Sequence, residues 1–250
     1  LSVIALVALA MFLGATVKGA IGFGLPLAAL PVMAFGLPPQ TAMALLAVPI
    51  VGSNILQARQ RGLWRPALGR FWPLIAGGFV GLVAGLQLLA RADAAELHVL
   101  IGLTIVAVGV SQLSGLRIPR PRPEREAPTS GAVGVLAGLI GGMTSMFGPP
   151  AITYLVALRL DKDLFVAALA VYYAAVSLPF FVSLALLGII GWAEFLGSVA
   201  AMAPIAAGVA TGTALRRLIP PEPFRRVVLV ALVVVGLVMA GRALGDIWAA

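Results

Sequence analysis

Lys18 is the one ionisable side chain set deep in an apolar run, four residues before Gly22. A buried ammonium is costly unless it meets an anion or water, so this position predicts attraction for an anionic ligand. A second reading stays open, in which Lys18 snorkels to an interface from one end of a displaced first helix. Ser53, Asn54 and Gln57 are spaced i, i+1 and i+4, and Tyr173 and Ser177 form an i, i+4 pair, so each set lies near one helix face. Gln57 falls nearest the basic loop that follows. Thr144 and Ser145 immediately precede a Gly-Pro sequence and could turn hydroxyls toward the same cavity. Polar groups of this kind either hold a ligand by hydrogen bonds or join helices within lipid.

Catalytic chemistry finds no support. All nine acidic residues, Asp93, Glu96, Glu124, Glu126, Asp161, Asp163, Glu194, Glu222 and Asp246, lie in loops or at span ends, so no carboxylate is placed for an intramembrane proton or sodium relay. Paired carboxylates and a Ser/His/Asp set are missing as well. With no cysteine and His98 as the single histidine, no metal-ligand cluster forms. The expectation is no enzyme, no metal and no cofactor.

The elements that must hold these groups are membrane helices. Of 250 residues 61% are hydrophobic and 10% charged, against roughly 45–50% and 25% in soluble domains, which excludes a water-soluble protein. The net charge of +8 comes from short loops between apolar runs and reads as positive-inside bias rather than nucleic-acid binding. Six runs, 40–58, 66–89, 95–113, 164–187, 193–215 and 224–240, are long enough to span. The opening residues are taken as part of a further membrane helix. Trp64, Trp72, Trp192 and Trp248 mark an interfacial belt.

Sliding the sequence on itself by 124 residues brings GAIGFGLP (19–26) onto MTSMFGPP (143–150), Gly14 onto Gly138 and Ser53 onto Ser177. A shift of 127 sets Gly109 on Gly236. The chain therefore divides into a first membrane repeat (1–116), an extended polar Pro/Arg-rich cytoplasmic linker (117–130) and a second membrane repeat (131–250). From 131 to 158 there are 28 residues, about 42 Å of helix, too short for two crossings of a core about 30 Å thick. One span or a re-entrant hairpin fits. With hairpins, the basic residues at 59–70, 117–125, 159–162 and 216–226 share one side. Loops of opposite charge then alternate between the halves, which makes the repeats inverted. The expected fold is an all-α polytopic membrane protein of two inverted-topology repeats, each a re-entrant or broken helix pair followed by three transmembrane helices. In such folds the interruptions mark the substrate site. Here they are Gly22, Phe23 and Gly24 in the first half, and Phe147 and Gly148 in the second.

GATVKGAIGFGLPLAALP near the start and GGMTSMFGPPAITYLVALRLDKDLF at 141–165 resemble the two repeats of the TauE/SafE sulfite exporter family. The chain has GFGLP and MFGPP where many relatives carry GIGGG, so the likeness is to an anion class. It implies a secondary transporter in the bacterial plasma (inner) membrane, moving sulfite, an organosulfonate or sulfoacetate without a cofactor, by alternating access around a midplane site. A passive anion channel is the alternative. Lys18, the backbone at both breaks, Ser53, Asn54, Thr144 and Ser145 would be suited to the substrate's oxygens. The partners implied are the anion and the lipid bilayer, with no nucleic acid and the oligomeric state left open.

Overall fold

A computed structural model describes residues 2–21, 24–59, 62–114, 119–218 and 221–249, and among them the chain forms twelve α-helices and no strand. The first half contains α1 (Val3–Ile21), α2 (Leu25–Met33), α3 (Pro39–Ala44), α4 (Ala47–Arg59), α5 (Trp64–Leu89) and α6 (Ala94–Leu113). The second contains α7 (Pro123–Thr144), α8 (Gly148–Ala157), α9 (Lys162–Leu186), α10 (Trp192–Ala200), α11 (Met202–Leu218) and α12 (Pro221–Ala249). Each half opens with a long helix, a break and a short helix, followed by three longer stretches.

Eight stretches among the described residues are long and apolar enough to cross a membrane, adding Val3–Ala20 and Pro123–Thr144 to the six read from the sequence. The second addition corrects the extended linker, since the chain is already helical from Pro123. Pro123 stands in the first turn, where its missing N–H costs nothing, and Glu124 and Glu126 face the positive end of the helix dipole. Pro128 lies inside the helix and removes one backbone bond, which the pattern of the sequence overstated as a full stop.

Two compact units interleave along the sequence. One is Leu1–Pro49, Ala92–Leu116 and Ile189–Ala250, and the other is Ile50–Arg91 and Arg117–Gly188. Neither is a sequence half, because the long helix before each break packs on a helix from the opposite half: α5 on α7 in one unit, α1 on α11 in the other. Small residues permit both contacts. Gly77, Gly81 and Gly85 of α5 lie on the α7 backbone, and Gly134, Gly138 and Gly142 of α7 on the α5 backbone, so closely that a Cβ at Gly81 would strike the Val135 carbonyl and one at Gly138 the Gly78 carbonyl. Likewise Gly208 and Gly212 of α11 lie against the Phe12 and Thr16 carbonyls of α1. In the same unit α6 meets α12 where Gly102 and Gly236 face each other's carbonyls. Water is absent from the bilayer core, so close van der Waals contact between such faces carries the association.

The stretch 40–58 lies within one candidate span, Pro39–Arg59, but its helix is interrupted. Pro49 has no N–H to offer the carbonyl four residues earlier, Leu45, and α3 ends at Ala44 while α4 starts at Ala47. The fully buried Ser198 of α10 closes the gap: its Oγ donates to Leu45 O at 2.9 Å and accepts from Val48 N at 2.9 Å. The stretch 193–215 is broken in the same way at Ala201, three residues before Pro204. Ser198→Ala is expected to lower unfolding stability by about 1 to 3 kcal/mol, since it strands two backbone groups in a buried site. Thermal unfolding in detergent measures this, and an unchanged midpoint would show that Ser198 does not pin the break.

Candidate functional site

In the second half, α7 stops at Thr144 and Ser145 takes a left-handed conformation, φ 58°, with its N–H donating to Gly141 O at 2.6 Å. A serine in this region is uncommon, and such strain persists where surrounding structure enforces it. The Thr144 hydroxyl donates to Ile140 O at 2.7 Å and accepts from Met146 N at 3.3 Å, so it is spent on shaping the turn. The Phe147 ring covers Gly141 and meets Phe180 edge-on, with centroids 5.3 Å apart.

From Gly148 the chain turns back as α8 rather than continuing α7, and the Tyr154 hydroxyl donates to Glu126 O near the start of α7 at 3.1 Å. The Glu126 carboxylate binds Arg70 of α5 through both oxygens, at 2.8 and 3.1 Å. This half-exposed pair fastens the polar end of the unit. At the other end of α8, Pro149 and Pro150 remove two of the four free N–H groups a helix N-terminus normally presents. The Tyr173 hydroxyl stands against Gly148 so closely that any Cβ there would overlap it.

Among the described residues of this unit, Ser145 Oγ, Ser177 Oγ and Tyr172 OH, together with Ser130 Oγ at the polar end of α7, are buried with no hydrogen-bond partner. An unmet polar group in the interior costs about 1 to 3 kcal/mol and calls for an explanation. Tyr173, Ser177 and Phe180 fall at i, i+4 and i+7 along α9, hence on one face. Tyr173 touches Gly148 and Phe180 touches Phe147, so Ser177 between them lies on the face turned to the break. Tyr172, on the adjoining flank, packs on Gly78 of α5.

In the other unit Lys18 lies half-buried in the last turn of α1, where the negative end of the helix dipole favours a cation. Gly24 precedes α2 at φ 103°, a conformation glycine adopts without strain. Pro26 removes one donor from the start of α2.

Residues 6–239 match the family described as Sulfite exporter TauE/SafE. The chain belongs to this family. The family is one of membrane transporters for sulfite and related sulfur anions. No curated protein and no solved structure gives a match.

In this TauE/SafE chain the residues expected from sequence divide between the two units. Ser145, Phe147, Gly148, Tyr173 and Ser177 gather at the second break, with Thr144 supporting its turn. Ser53, Asn54 and Gln57 sit on α4 in the same unit, but the buried Asn54 amide donates to Ile50 O at 2.7 Å and the Ser53 hydroxyl points to the same carbonyl at 3.4 Å. Lys18 and Gly24 belong to the other unit. Gly22 and Phe23 lie outside the described residues. Tyr172 and Ser198 were not singled out from sequence. Spacing alone does not distinguish Tyr172 from its neighbour Tyr173, and the sequence signal for Ser198 is Pro49, which interrupts the helix within the span Pro39–Arg59.

Proposed function

We propose that this chain is a secondary transporter that moves a small sulfur-containing anion, such as sulfite, an organosulfonate or sulfoacetate, by alternating access. The observation that carries the reading is the recurrence of a broken helix followed by a short helix at the head of each half, in a chain of this family. Interrupted helices expose backbone donors within the membrane, where no water competes for them. Lys18 supplies the attractive charge beside the first break. Ser145, Gly148, Tyr173 and Ser177 supply neutral contacts at the second, and Ser53, Asn54 and Gln57 contribute polar groups from α4.

Ligand linkage tests this on the purified protein. Sulfite or methanesulfonate should raise the unfolding midpoint in a saturable manner, whereas small carboxylates should not. A midpoint indifferent to every sulfur anion would overturn the reading.

The repeats are inverted in this account, and the basic loops face the cytoplasm of a plasma membrane. The cysteine-free chain allows a direct check by impermeant thiol labelling. Pro121→Cys should react only from the cytoplasmic side and Gly191→Cys only from the opposite side. Labelling of both from one side would contradict the inversion.

A further inference from the structure

We infer that the second break selects a singly charged sulfur oxyanion, hydrogensulfite or a sulfonate with no second ionised group, over a dianion, which removes sulfoacetate from the anions proposed above. This rests on the anion-transport reading above and specifies the charge state that the site accepts. The helices that wall the break carry no Lys, Arg, His, Asp or Glu across 71–90, 131–158 and 164–187. Its buried hydroxyls without partners, Ser145 Oγ and Ser177 Oγ, are neutral groups that both donate and accept. The α8 N-terminus adds Gly148 N–H, while Pro149 and Pro150 withhold two further donors that would otherwise strengthen its pull on negative charge. Phe147 and Phe180 line the same place with apolar rings.

A dianion moved into such a site loses its water and finds only neutral dipoles in return, a cost that grows steeply with charge. One negative charge spread over several oxygens is far less demanding. The hydroxyls suit an acid anion that keeps one proton, since a serine oxygen can accept from the anion's O–H while its own proton is donated to another oxygen.

Sulfite serves as the probe because its second ionisation lies near neutrality, methanesulfonate because it keeps one charge throughout, and sulfate because it keeps two. Within the apolar stretches the titratable groups are Tyr172 and Tyr173 of α9 and Tyr154 of α8, while Arg65, Arg70, Glu124, Arg125, Glu126, Lys162 and Asp163 stand at the helix ends. Any titration of the protein, Lys18 included, appears equally with methanesulfonate, so the ratio of the two affinities isolates the ligand. From about one unit below sulfite's second ionisation to about one unit above it, sulfite affinity relative to methanesulfonate should fall about tenfold, and sulfate should bind more weakly than methanesulfonate. A ratio that is flat or rises with pH overturns the inference while the transport reading stands. Absence of binding by all three anions overturns both.

Two variants examine the hydroxyls without threatening the fold. Ser177→Ala removes an unpaired buried hydroxyl and Ser145→Gly relieves a left-handed serine, so neither should lower the unfolding midpoint of the ligand-free protein. Each should weaken sulfite binding about two- to tenfold. Unchanged affinity in both variants would show that the break does not hold the anion.

Discussion

Gly138→Leu should eliminate the folded protein. A Cβ at this position would strike the Gly78 carbonyl and come within 2.9 Å of Leu82 N, both backbone atoms that cannot swing aside. Alanine alone forces α5 and α7 apart and should lower stability by about 1 to 3 kcal/mol. Leucine adds a branched side chain where the opposing surface is backbone, opening the Gly77–Gly85 contacts along their length. Because close packing rather than water exclusion holds these helices together in lipid, a separation of even an ångström forfeits much of the attraction. Gly69→Ala is the matching control: Gly69 is on the partner helix α5 with nothing within 4 Å of an added Cβ. That change should be neutral or stabilise by up to about 1 kcal/mol through helix propensity. Size-exclusion profiles and unfolding midpoints in detergent distinguish the pair, and a wild-type midpoint for Gly138→Leu would refute the tight α5–α7 contact.

Lys18→Ala should leave a folded protein that binds sulfur anions roughly 10- to 150-fold more weakly, corresponding to a charge-assisted hydrogen bond worth about 1.5 to 3 kcal/mol. Lys18→Arg should restore binding only in part, because a planar fork replaces a compact charge. The position of Lys18 in the last turn of α1 supplies a competing role, complementing the helix dipole. That role alone is worth about 0.3 to 1 kcal/mol of stability and nothing in affinity. Titration calorimetry beside an unfolding curve separates the two: a small stability loss with unchanged affinity would remove Lys18 from the ligand set.

What the sequence made legible follows from where the punctuation lies. GFGLP and MFGPP place glycine and proline together, so the break after Thr144 and the short helices that follow could be read from the letters. The charge-rich start of α7 misled because its prolines fall in the first turn and at Pro128, where a helix loses little by admitting them. The breaks at Leu45 and Ala201 were hidden for the opposite reason. Each proline lies downstream of the gap it creates, within an apolar run, and Ser198, which closes the first, is about 150 residues away in sequence. The site showed the same limit. Spacing put Tyr173 and Ser177 on one face, but whether a hydroxyl is met or unmet depends on neighbours from other helices. Thr144 and Asn54 proved to be committed to backbone carbonyls, whereas Ser145, Ser177 and Tyr172 did not.

The central claim, carrier-type transport of a sulfur anion, is tested most directly by flux of labelled sulfite into proteoliposomes containing the purified protein. The account predicts uptake that saturates with sulfite and accelerates when unlabelled sulfite is loaded on the opposite side, as exchange through an alternating site requires. Vesicles that take up no sulfite above protein-free controls would contradict it, as would uptake rising without saturation and indifferent to anion on the far side, the behaviour of an open channel.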